Sequence, residues 1–113
     1  MSPREWRFRI EDIAEALSAI EEYSAGLDFA GWSQDRKTID AVIRNFEIIG
    51  EAAANVPEEI QIRYSDLPWA QLKGIRNLLI HEYFGVDPEI LWKTIQEDLP
   101  DLRNRIQAIL ASA

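Results

Sequence analysis

Apolar residues recur at threes and fours along nearly the whole chain. Trp6, Ile10, Ile13, Leu17 and Ile20 make the first stripe, the spacing of an amphipathic helix with one buried face. Ahead of it, Ser2, Pro3 and Glu5 read as N-cap, first-turn proline and capping-box partner, and Gly26 as the stop. Leu27 to Asp35 carries Phe29 and Trp32 beside glycines and predicts an ordered turn tucked onto the bundle, with Ser33 or Asp35 capping the second helix. That helix, Arg36 to about Asn55, is apolar on two sides: Ile39, Val42, Phe46, Ile49 and Ala53 on one, Ala41, Ile48 and Ala52 nearly opposite. Between them run Arg36, Asp40, Ile43, Glu47 and Glu51, with Gly50 small enough for another helix to approach. Such a helix is central to its domain or shared with a partner chain.

Pro57 opens a short helix, Glu58 to Arg63, and Ser65 to Pro68 caps a longer one running from about Pro68 to Phe84 and ending at Gly85. Asp87-Pro88 restarts the chain as cap plus first-turn proline, Ile90, Leu91, Trp92 and Ile95 supply a buried side, and Leu99-Pro100 must break or kink the helix. Leu102, Ile106, Ile109 and Leu110 close the set. With no strand-like alternation and no repeats, residues 1–113 predict a single all-α domain, an antiparallel bundle of four to five helices.

Composition narrows the chemistry. A chain of 113 residues with 47% hydrophobic residues is long enough to bury a core unaided. Zero cysteines and one histidine leave no thiolate ligand set and no plausible zinc site. Glu11, Asp12 and Glu15, the densest acidic group of the first helix, read as its solvated face. The N-terminus lacks the apolar core of a signal peptide, and no apolar run approaches the ~20 residues of a membrane span. These features predict a cytoplasmic protein without membrane contact. The net charge of −8 opposes broad binding to nucleic acid, which rests on Lys and Arg neutralising phosphates. A site needs only a few cations, however, and Arg36, Lys37, Arg63, Lys73 and Arg76 are the candidates.

The polar groups that break the apolar pattern gather between Lys73 and Pro88. On an ideal helix at ~100° per residue, Trp69, Leu72, Ile75, Leu79, Ile80 and Tyr83 share one broad face, and Arg76 falls in its middle. A guanidinium there requires a carboxylate, with Asp40, Glu47 or Glu51 available, or a cleft that admits an anion. Asn77 and His81, four apart, are neighbours on an adjoining face. Arg76, Asn77, His81 and Tyr83 form the pattern Arg-x4-His-x-Tyr, followed by Phe84-Gly85-Val86-Asp87. This segment resembles the signature of HEPN-domain proteins, and more narrowly that of HepT-like toxins. The stretch from Asp35-Arg36-Lys37-Thr38 through Asn45 to Ala53 is similar to the same family, so the resemblance spans most of residues 33 to 110.

The resemblance implies a homodimer with a composite site and metal-independent RNA cleavage without a cofactor. In it His81 handles protons, Arg76 binds phosphate and Asn77 orients its neighbours. It also implies a partner, an MNT-type nucleotidyltransferase antitoxin, which would transfer AMP to Tyr83. The chemistry suits the residues: a histidine of pKa ~6.5 works as acid or base near neutrality, and Arg forks onto two phosphate oxygens. Two other readings stay open, a non-catalytic HEPN partner that binds nucleotide or a nucleotidyltransferase, and a plain helical dimerisation module.

Overall fold

A computed structural model describes residues 3–81 and 87–112, the side chains of 3 and 76–81 excepted. Seven helices run in order among the described residues: α1 (Pro3–Ser24), α2 (Phe29–Gln34), α3 (Arg36–Ala54), α4 (Glu58–Arg63), α5 (Trp69–His81), α6 (Pro88–Glu97) and α7 (Leu99–Ser112). Five have ten residues or more, and α2 and α4 have six each. This is the all-α bundle predicted, with α4 over the residues expected for the short helix and α2 in place of the expected turn.

The first stripe is buried throughout: Ile10, Ile13, Leu17 and Ile20 are wholly inaccessible and Trp6 nearly so. Gly26, at φ +77°, turns the chain after α1 through the left-handed region that glycine enters without steric cost. The proposed capping role of Ser2 lies outside the described residues. Leu27–Asp35, expected as a turn, forms α2. Asp28 caps it by accepting the Gly31 N–H at 2.8 Å, and Trp32 is fully buried, with its ring centroid 5.3 Å from that of Trp92. Between the two candidate caps of α3 the structure selects Asp35, which accepts the Thr38 N–H at 3.1 Å, while the Ser33 hydroxyl donates to the Ala30 carbonyl.

Helix α3 is the centre of the fold. It packs against α1 and against α5, so both of its apolar faces are used within one chain. Val42, Phe46, Ile49 and Ala53 are buried on one face and Ala52 on the other; Ile43, expected on the polar side, is also buried. Its two-sidedness therefore needs no partner subunit. α7 packs on α1 and α6, and α2 reaches α3 and α6.

Pro57 stands at the N-cap position of α4, opening the helix over the residues expected. Asp66, within the Ser65–Pro68 stretch ahead of α5, receives Arg105 of α7 on its carbonyl, with its carboxylate 3.9 Å from the same guanidinium. Asp87 caps α6 as expected, accepting the Glu89 N–H at 2.9 Å, with Pro88 in the first turn. One member of the α6 apolar set is misplaced: Leu91 and Ile95 are buried and Trp92 half-buried, but Ile90 is 63% exposed. The buried line of α6 is the Leu91–Ile95 pair. Ile90 lies a turn-step away with Lys93, which is exposed, and Thr94, which is half-buried. The interruption falls at Asp98, one residue before the expected Leu99-Pro100, which instead opens α7.

Candidate functional site

Helix α5 carries three of the four residues singled out from the sequence. Its first half is well defined. Trp69 and Leu72 are buried, Ile75 is half-buried, and Ala70, Gln71, Lys73 and Gly74 face solvent. Position 76 is four beyond Leu72, and positions 77 and 81 are four and eight beyond Lys73. The side chains of Arg76, Asn77 and His81 lie outside the described residues, and so does Tyr83 altogether. The carboxylate partner of Arg76 falls under the same limit. Of the three acids considered for it, Asp40 stands 4.0 Å from Arg36 and Glu47 3.4 Å from Arg44.

Four of the five candidate cations lie among the residues whose side chains are described. Arg36 projects into solvent at the start of α3, loosely opposite Asp40, and Lys37 is exposed beside it. Next to Lys37, the carboxyl of Asp35 is held below its ordinary range, first by the hydrogen bond from the Thr38 hydroxyl at 2.8 Å and then by the Thr38 backbone N–H. Arg63 is exposed at the end of α4. Lys73 is exposed on α5, and its ammonium donates to Gln61 Oε1 at 3.0 Å. The Gln61 amide is oriented by its own donor, since Nε2 reaches the Val56 carbonyl at 2.8 Å.

Gln61 is a residue that the sequence does not single out. It is one polar position on a six-residue helix, and only folding the α3–α4 turn back toward α5 brings it to Lys73. Among the described residues, no three of His, Asp and Glu converge as a metal site requires, and Glu11 meets Arg7 at 3.3 Å on the solvated side of α1. Also among them, no helix is long and apolar enough to cross a membrane.

On the far side of α5, Leu72 and Ile75 line an open groove of about 600 Å³ with Leu99 and Leu102 of α7. Its rim is acidic, with Asp66, Glu97, Asp98 and Asp101 around, among the described residues, a single cation, Arg105, which Asp101 engages at 2.9 Å. That face repels a polyanion. The Lys73 side of α5 is the face that can receive one.

Comparison with known proteins agrees with the motif. A family model described as Ribonuclease HepT-like matches residues 13–109. A protein of Thermococcus cleftensis named "Probable ribonuclease HepT" is 44% identical over 100 residues, covering 88% of this chain and 91% of its own. A candidate RNase of Methanocaldococcus jannaschii is 33% identical over 109 residues, 96% of this chain and all of its own. Another, of Caldanaerobacter subterraneus subsp. tengcongensis, is 38% identical over 101 residues, 89% and 90% of the two chains. No solved structure matches at a significant level. With the family model covering nearly the whole bundle and relatives matching end to end, the chain belongs to the HepT-like ribonuclease family.

Proposed function

We propose that this protein is an endoribonuclease toxin that cleaves RNA without a metal and is silenced by AMP transfer from a nucleotidyltransferase antitoxin. The observation that carries the reading is an intact Arg76-x4-His81 pair on α5, in a chain whose relatives are named as ribonucleases. Cleavage requires a base for the 2′-hydroxyl proton, an acid for the leaving 5′-oxygen and positive charge on the phosphorane-like transition state. His81 serves the proton transfers and Arg76 the charge, with Asn77 as the orienting neighbour. The product is a 2′,3′-cyclic phosphate or its hydrolysed form.

The two catalytic positions are about 7.5 Å apart along the helix axis and about 140° apart around it. One copy of α5 therefore offers them on different sides, and a second copy across a two-fold axis completes the set. A homodimer with a composite site is the arrangement this favours. Helix α3 packs on α1 and α5 within the chain but leaves Ala41 and Ile48 of its second face half-buried, so it still has apolar surface to contribute to pairing. Among the described residues, Ile90, 63% exposed, is the exposed large apolar residue closest in sequence to the motif.

Tyr83 lies two residues past His81 and is the proposed AMP acceptor. An adenylyl group there would set a phosphodiester charge and a bulky base where the RNA phosphate must sit, excluding substrate by volume and like charge. A second reading, a non-catalytic partner that binds nucleotide or the nucleotidyltransferase, draws on the net charge of −8, which suits protein partners better than RNA. One experiment tests the proposal against it. The protein is incubated with ATP, magnesium and a nucleotidyltransferase of the MNT type, assayed for RNA cleavage and mapped by mass spectrometry. The toxin reading expects cleavage before treatment, none after it, and an added AMP on Tyr83. Absence of cleavage before treatment favours the partner reading, and an adduct elsewhere removes Tyr83 from the account.

A further inference from the structure

We infer that Lys73, positioned by Gln61, holds an RNA phosphate flanking the scissile one. The inference rests on the ribonuclease reading above and extends it to the path of the strand. Its starting point is how the cations of this acidic chain are held. Among the described residues, five basic side chains have a hydrogen-bonded partner: Arg7, Arg44, Arg103 and Arg105 each meet a carboxylate, at 3.3, 3.4, 2.7 and 2.9 Å. Lys73 instead meets a neutral amide oxygen, at 3.0 Å.

That difference has electrostatic consequences. A carboxylate partner cancels the charge it positions, whereas Gln61 fixes the ammonium and leaves its charge uncompensated. The amide is locked, because its nitrogen is committed to the Val56 carbonyl at 2.8 Å and its oxygen must then face Lys73. An ammonium has three donors, so two remain for an anion. Fixing a flexible lysine in advance also lowers the side-chain entropy lost when it binds.

The location decides which anion. Lys73 precedes Arg76 by three residues and Asn77 by four, so it adjoins both on the helix surface. It stands about 4.5 Å below Arg76 along the axis and about 12 Å below His81. A phosphate taken by Arg76 leaves the next phosphate of the same strand within reach of the Lys73 ammonium. The opposite flank of α5 is bordered by Asp66, Glu97, Asp98 and Asp101, which confines the strand to the Lys73 side.

The test uses the full-length protein and a fluorescent single-stranded RNA, with a 2′-O-methyl version of the same oligonucleotide for binding without cleavage. Lys73→Gln should raise KM about five- to tenfold with kcat within about twofold. It should also lower the slope of log binding constant against log salt by about one ion. Lys73→Arg should restore both quantities. Gln61→Glu, which keeps the lysine but cancels its charge, should reproduce the Lys73→Gln effect. Lys93→Gln, which removes a lysine 3.9 Å from Glu97 on α6, should change neither. An unchanged KM and salt slope in Lys73→Gln, or an equal effect in Lys93→Gln, overturns the inference while cleavage by the wild type leaves the ribonuclease reading standing. If the wild type binds the 2′-O-methyl strand but does not cut RNA, the ribonuclease reading fails and the Lys73 slope is still read. If it binds neither strand, both fail.

Discussion

Asp35 binds two donors of one residue, the Thr38 N–H at 3.1 Å and its hydroxyl at 2.8 Å, and so anchors the start of the central helix. Both bonds favour the carboxylate, which is why its pKa is lowered. A group whose folded pKa lies below its unfolded value stabilises the fold above the unfolded value, and that contribution disappears as pH falls through the folded one. Asp35→Ala should therefore melt lower than the wild type at pH 7. The gap should narrow once pH drops below about 4, as thermal melts by circular dichroism will show. Trp32 is a second informative residue. It is fully buried beside Trp92, yet its indole N–H has no partner among the described residues. Trp32→Ala should cost about 3–5 kcal/mol. Trp32→Phe should cost clearly less, since it keeps an aromatic ring and removes an unpaired donor whose burial carries about 1–3 kcal/mol. Urea titration of the two variants measures the difference, and equal losses would show that the N–H is satisfied by water.

Among the elements, the turn after α1 offers the cleanest test of backbone geometry. Gly26 sits at φ +77° and a Cβ added there would meet nothing within 4 Å. The whole cost of Gly26→Ala is thus conformational, about 1–2 kcal/mol, and denaturant unfolding should find it with no change in slope. The same elements mark how far the fold is legible in the sequence. α1, α3 and α7 stand out because each repeats its apolar period over several turns. α2 does not: six residues cannot establish a period, and Phe29 and Trp32 read equally well as a turn. Ile90 reads as buried from sequence because a first turn carrying Ile90, Leu91 and Trp92 together does not reveal which of them faces the core. The doubly apolar α3 is consistent with two architectures, and only the placement of α1 and α5 on its two sides distinguishes a central helix from a shared one. The proposed site divides in the same way. Its motif residues stand out by type and spacing, while Gln61 joins the proposal only through the fold, twelve residues before the lysine it meets.

For the whole molecule, charge and symmetry are the governing quantities. A chain of net charge −8 can act on RNA only if its field is uneven. The acidic groove between α5 and α7 and the exposed Lys73 on the other flank of α5 give that unevenness a direction. The composite site further requires two copies, so light scattering at micromolar concentration should report twice the 13.0 kDa chain mass. A monomer would refute the shared site. Central to the account is that Arg76 and His81 cut RNA with no metal, and cleavage of a single-stranded RNA in excess EDTA tests this most directly. The wild type should cut and leave a 2′,3′-cyclic phosphate or its hydrolysis product. Arg76→Ala and His81→Ala should each lose about 10²-fold or more while melting as the wild type does. Cleavage abolished by EDTA, or retained by His81→Ala, would contradict the account.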